Sequence, residues 1–299
     1  MQVGRIDLDG TGSPAGLVTK ILATEPNLPI PVPIEDLARQ LDIQAINTLE
    51  TEGFEGGLLT DDARSTGIIL VNENAFPQRR RFTVGHELGH FLMPTHRPVQ
   101  AGAFLCSTDD MRSWTPQETD RYGRMEKEAN LFAALILMPP PALRREMQQF
   151  HDADLGHILH LAEHFCVSKE TAARAYAQAH DETLAIIVAK DGRVNRVYKH
   201  SRFPRIAPSY GSPIPQGTLF YRANVRQNVA SNIEPVDASH WLEHDLRERP
   251  PAMYEQIYPQ QNGYTLVLLH IEPIDEDDES EERDMQKSWQ VGFGRRGGR

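Results

Sequence analysis

The sequence predicts an α+β protein of two domains with a helical segment between them. Three observations carry that reading. Apolar residues recur at helical spacing in residues 82–93 and 125–138. Short apolar, β-branched runs bounded by turn residues occur in residues 54–72 and again from about Thr183 onward. The chain has 299 residues, 24% charged and 39% hydrophobic, with a mean hydropathy of -0.48, which suits a protein with room for two cores.

Taken in order, Ile34, Leu37, Ala38 and Leu41 fall on one helical face and predict a short helix. Phe54–Thr60 and Thr66–Asn72 read as the strands of a hairpin around the polar turn Asp61-Asp62-Ala63-Arg64. Gly56-Gly57 would let another backbone approach, as when a peptide adds to a strand edge; plain turn glycines explain the pair equally well. The helix from Arg81 to Met93 is closed by Pro94, whose ring carries no N–H. A second, strongly apolar helix from Met125 to Met138 stops at Pro139-Pro140.

Residues 158–176 then read as a helix, a turn through Cys166-Val167-Ser168 and a second helix capped by Ser168, an arrangement like a helix-turn-helix. Lys169 and Arg174 on the second helix are offset by Glu170, so a structural pair is favoured over a DNA reader. His160 and His164 lie four apart but lack the H-E order and a nearby third donor, and are read as surface residues. Leu184–Ala189 and Val194–Tyr198 flank the turn Lys190-Asp191-Gly192 as a hairpin. With Leu219–Arg222 and Tyr264–Ile271 they predict a smaller α+β domain with an antiparallel sheet. The acidic run from Glu272 to Glu282 and the Gly/Arg-rich end read as a solvated tail. The expected boundaries are thus 1–145, 146–180, 181–272 and 273–299.

The most informative segment is His86-Glu87-Leu88-Gly89-His90. Residues four apart on a helix stack on one face, so the two imidazoles can grip one metal ion. Glu87 then stands beside the open coordination position, where it can serve as a base toward water. This is the H-E-x-x-H pattern of zinc peptidases. Phe82, Leu88, Phe91 and Leu92 around it supply enough apolar surface to bury the helix and keep the site dry.

A catalytic zinc has three protein ligands, so a third donor is expected downstream. Glu128 and Glu126 both open the second helix. Glu128 shares a face with Met125, Leu131, Phe132 and Leu135, an apparently buried stripe, whereas Glu126 points the other way with Asn130 and Ala133. A carboxylate within a buried stripe needs a partner, and the metal would be one, so Glu128 is favoured over Glu126. His96 and Cys106 are further donors by position; His96, in a proline-flanked loop, reads as exposed or facing substrate.

Residues 81–90 and 126–139, with Pro31–Ala38 and Gly67–Asn72 upstream, resemble the ImmA/IrrE family of bacterial metallopeptidases over about residues 15–145. The resemblance implies an intracellular, gluzincin-like endopeptidase with a zincin-like domain. It implies His86, His90 and Glu128 as ligands of one zinc per chain, manganese being a substitute, and Glu87 as base. Family members cleave helix-turn-helix repressors, so a repressor of that class is the implied protein substrate, and a second domain in such proteins has a sensing or recruiting role. His96 and Tyr122 are candidates for steadying the oxyanion or contacting substrate. The polar stretch from Thr95 to Thr119 is long for the family and bears on the substrate cleft.

Composition narrows the alternatives. A formal charge of -11 and a pI near 5.5 argue against general DNA binding. No run of about eighteen apolar residues predicts a membrane span, and the first residues lack an apolar signal core, so a cytoplasmic location is expected. Two cysteines, Cys106 and Cys166, without paired spacing fit a reducing compartment. The rival is a non-cleaving, metal-stabilised regulator or antitoxin-like binding protein. The presence of Glu87 argues for chemistry, since a structural site has no use for a base.

Overall fold

The structure is a computed structural model, described for residues 1–50, 53–97, 103–107, 121–243 and 250–272. The tail at 273–299 and most of the polar stretch before the second helix (98–102 and 108–120) lie outside the described residues. The fold is mixed α+β, and the chain forms two compact units. The first holds Met1–His151 and His157–Tyr176; the second holds Asp152–Gly156 and the described residues from Ala177. Among the described residues no helix is long and apolar enough to cross a membrane.

In the first unit, α1 (Pro14–Thr24) starts at Ser13, whose Oγ accepts from the Gly16 amide at 3.2 Å, with Pro14 in the first turn. The expected short helix is α2 (Ile34–Gln40), burying Ile34, Leu37 and Ala38. Four strands follow: β1 (Ile43–Leu49), β2 (Phe54–Thr60), β3 (Gly67–Asn72) and β4 (Ala103–Ser107), in the order β1-β3-β2-β4. β2 and β3 are the anticipated hairpin. β1 joins β3 in parallel; with only Ile43 of its seven residues fully buried, it carries no alternating pattern to announce a strand.

The sheet order corrects one expectation. Gly56 pairs with Val71 on one side and Cys106 on the other, and Gly57 with Leu70 and Leu105. Both glycines are therefore interior to the sheet, and no further backbone can add there. The outer strands are β1 and β4, and the one beside these glycines is β4, a short strand with no separate signal in the sequence.

Two long helices pack on this sheet or on each other: α3 (Pro77–Leu92) and α4 (Arg121–Leu137). Their contact is set by small residues. A Cβ on Gly85 would sit 3.3 Å from the Ala133 Cα, and one on Gly89 would sit 3.3 Å from the Ala129 Cα and 3.2 Å from the Phe132 ring. The missing side chains let the two backbones approach as closely as side-chain sterics allow. The end of α3 is closed by Arg64, which is buried in the β2–β3 turn. Its guanidinium donates to the carbonyls of His90 at 2.9 Å, Phe91 at 3.3 Å and Met93 at 2.5 Å, and also to that of His96. These are carbonyls a helix end leaves without intrahelical partners. α5 (Pro140–Met147), α6 (Leu155–His164) and α7 (Lys169–Ala179) follow. The Ser168 Oγ accepts from the Thr171 amide at 3.0 Å at the start of α7.

The second unit is a five-stranded antiparallel sheet of β5 (Thr183–Lys190), β6 (Arg193–Lys199), β7 (Glu234–Val236), β8 (Met253–Pro259) and β9 (Tyr264–Ile271). Its order is β6-β5-β9-β8-β7. Asp191 and Gly192 at the β5–β6 turn have φ of 49° and 72°, the left-handed pair of a two-residue hairpin. Ala185, Ile187, Val267 and Leu269 pack against Phe203, Ile214 and Trp241. Leu219–Arg222, grouped with the strands from its apolar content, is a short helix, α8, with Leu219 packed into this core.

The α3–α4 contact makes a stability prediction. In an exposed helix, replacing glycine gains stability through helix propensity. Gly89→Val should instead cost about 1–3 kcal/mol by overpacking against Ala129 and Phe132, read from urea denaturation of the full chain. A neutral or stabilising result would show that the helices do not need this closeness.

Candidate metal centre

His86 and His90 lie one turn apart on α3, and both are fully buried. Their Nε2 atoms are 3.1 Å apart. The third group at this point is Glu126: its Oε2 lies 3.2 Å from His86 Nε2 and its Oε1 lies 3.3 Å from His90 Nε2. Glu128 is elsewhere. Its Oε2 meets His96 Nε2 at 2.9 Å and its side chain is 45% exposed. The preference for Glu128 as the carboxylate facing the two histidines is thereby corrected in favour of Glu126.

The reason is the face of α4. Glu126, Ala129, Asn130 and Ala133 follow helical spacing, and Ala129 and Ala133 are the residues that meet Gly89 and Gly85. The side facing α3 is thus the small-residue side. The large apolar stripe of Phe132 and Ile136 flanks it and is not the side on which the carboxylate points at the histidines. The sequence contained the clue: glycines four apart on one helix match alanines four apart on the other.

The donor set fits a metal ion. Bonds of about 2.0–2.1 Å in a tetrahedron separate neighbouring donors by about 3.4 Å. The three observed separations of 3.1, 3.2 and 3.3 Å are near that edge length. Two imidazole nitrogens and two carboxylate oxygens converge in a buried place, an arrangement a cation relieves.

The far sides of the rings are also held. Asn130 Oδ1 lies 3.0 Å from His86 Nδ1. His96 Nδ1 lies 2.9 Å from His90 Nδ1. With an ion at the shared point both Nε2 atoms would be bare, and the far-side contacts would then run in one sense: His86 Nδ1–H donating to Asn130, His90 Nδ1–H to His96, and His96 Nε2–H to Glu128. His96, expected to be exposed or to face substrate, is instead fully buried, with both ring nitrogens engaged. Phe104 of β4 stacks on the His90 ring at 4.8 Å and closes that side.

Electrostatics agree with a shared positive partner. Burial, helped by the neighbouring His86 and His96, drives the His90 pKa down to about 4 despite the Glu126 hydrogen bond. His86 moves the other way: burial is outweighed by the Glu126 hydrogen bond and the charges of Glu87 and Glu126. Hydrogen bonds from His86 and His90 hold the Glu126 carboxyl well below its usual range although burial opposes ionisation. A metal needs its ligands deprotonated, so an ion binding here would displace the proton that Glu126 favours on His86.

Glu87 follows His86 on α3 and is buried. Tyr122 stands four residues before Glu126, on the α4 face that carries it. Cys106 contributes its backbone to β4; its side chain lies outside the described residues. Sequence reasoning gave no role to Asn130 or Arg64, because what each does is recognisable only once α3 has neighbours.

Residues 41–176 match the model of the IrrE N-terminal-like domain, Peptidase_M78. The radiation response metalloprotease IrrE of Deinococcus radiodurans is 35% identical over 86 residues, which cover 28% of this chain and 23% of that protein. The match therefore spans about a quarter of that relative's length. A solved structure of a Mycobacterium tuberculosis transcriptional regulator superposes with a TM-score of 0.47 and 13% identity over 80% of this chain and 69% of the other, too loose a likeness to carry weight. The matched segment contains His86, Glu87, His90 and Glu126, so the similarity to the IrrE N-terminal-like domain spans the candidate metal centre.

Proposed function

We propose that the first unit is a zinc-dependent endopeptidase acting on an intracellular regulatory protein, a helix-turn-helix repressor being the implied substrate class. The observation that carries this reading is the convergence of His86, His90 and Glu126, all buried and with donor atoms 3.1 to 3.3 Å apart, beside Glu87. Three donors leave room for solvent and substrate, unlike a closed structural site. Zinc suits two imidazoles and one carboxylate, and manganese is a weaker fit to that set.

When bound, the ion would supply Lewis acidity toward a peptide carbonyl and its attacking water. The chain's own part is positional and acid–base. Glu87 takes the proton of the attacking water and returns it to the leaving amine. Asn130 fixes the tautomer and ring plane of His86. His96, backed by Glu128, does the same for His90, which raises the basicity of that ligand. Tyr122, one turn before Glu126, is the candidate donor to the developing oxyanion. β4, an outer strand among the described residues and beside His90 through Phe104, replaces Gly56-Gly57 as the place for an extended peptide. The second unit is assigned substrate recruitment or sensing.

Three tests follow. Glu87→Gln should keep one metal per chain, measured by elemental analysis, and lower cleavage on the order of 10²–10⁴-fold. His90→Ala should lose the metal. A Gln variant that holds metal and cleaves at the full rate would remove Glu87 from the mechanism. The two acidic residues of α4 separate cleanly: Glu126→Ala should abolish metal binding, whereas Glu128→Gln should retain it with affinity reduced about 10–100-fold. The reverse pattern would restore the assignment to Glu128. Incubation of the full chain with candidate repressors should give discrete fragments that disappear on chelation. Capture of a repressor without cutting, with metal in place, would favour the non-cleaving regulator.

A further inference from the structure

A second cluster of metal-binding donors lies outside the centre just described. His160 and His164 occupy one face of α6, a turn apart, and both turn their Nε2 atoms to the same carboxylate, Glu146, near the end of α5. His160 Nε2 lies 3.0 Å from Glu146 Oε2 and His164 Nε2 lies 3.5 Å from Oε1. The sequence offered no third donor for this histidine pair because Glu146 is fourteen residues away on another helix; folding brings it in.

We propose that Glu146, His160 and His164 form an exchangeable site for an imidazole-preferring divalent transition ion of the zinc class. Four features support it. One ligand atom from each residue can be chosen so that all lie within 4.8 Å of one another. The nitrogen–oxygen separations bracket the edge of about 3.4 Å expected for a tetrahedral zinc. The rings are pre-aligned: they lie 12° from parallel with centroids 5.7 Å apart, and Phe150 meets His160 edge-on at 5.8 Å. Lastly, Glu146 sits in the last turn of α5, where the helix dipole disfavours a carboxylate and a cation compensates.

The site differs in kind from the buried one. Glu146 is 18% exposed, but His160 is 49% and His164 35% exposed, so solvent reaches the open positions and the ion can come and go. No general base stands next to the first histidine, so the site has no hydrolytic role. Its mechanical effect is to clip α5 to α6. An ion that binds only when both helices are in place strengthens that contact in proportion to its free concentration.

The test is a Co2+ titration of the metal-stripped full chain by calorimetry and visible absorption, comparing wild type with a His160→Ala/His164→Ala double variant. Both substitutions are at exposed positions, and circular dichroism checks the fold. The expected result is two equivalents bound by wild type and one by the double variant, with the weaker event lost. Glu146→Gln should weaken that event at least about tenfold, as loss of one of three ligands does. Equal stoichiometry in wild type and double variant overturns the proposal. It is independent of the peptidase reading: if the buried centre takes no metal, wild type binds one equivalent and the double variant none.

Discussion

The close approach of α3 and α4 governs what this protein can do. Gly85 and Gly89 leave no side chain between α3 and the Ala129 and Ala133 backbone of α4, so the helices meet at a distance set by bare glycine and alanine surfaces. At that distance a glutamate side chain from α4 spans to both imidazoles of α3. A bulkier stripe would hold the helices apart and leave Glu126 short of both rings. The metal centre is therefore a consequence of helix packing and not a loop construction, which gives it the rigidity that a catalytic constellation needs.

Burial raises the stakes of that arrangement. Two imidazoles and a carboxylate in a buried place are costly unless each ring nitrogen and oxygen has a partner. The protein meets this from outside the centre. Asn130, from the same α4 face as Glu126, holds one ring, and the His96–Glu128 pair holds the other. Arg64 ties the carbonyl end of α3 and the backbone of His96 to the β2–β3 turn, so the loop that supplies His96 is anchored by the same group that caps the helix. A single buried guanidinium thus links the sheet, the end of the metal helix and the support of His90.

Histidines four apart on a helix appear twice in this chain with opposite surroundings. On α3 both are fully buried, Phe104 stacks on His90, and Glu87 follows the first. On α6 they are open to solvent and share a carboxylate from α5. The same local spacing is fully buried in one place and solvent-accessible in the other, and that difference separates the roles proposed for the two pairs.

Much was legible from local pattern. The α3 motif, the stop at Pro94, the β2–β3 hairpin and the Asp191-Gly192 turn all depend on interactions within a few residues, where helical or strand periodicity and turn chemistry are written directly in the order of side chains. The family likeness added the zincin-like reading but not the carboxylate that faces the two histidines. The choice between Glu126 and Glu128 turned on which side of α4 meets α3, and large apolar residues misled because the closest contact is made by the smallest ones. His96 became buried, Gly56-Gly57 became interior, and Glu146 came to face His160 and His164 for the same reason. Each depends on partners distant in sequence, and a residue's own neighbours along the chain carry no record of which surface folding will lay against it.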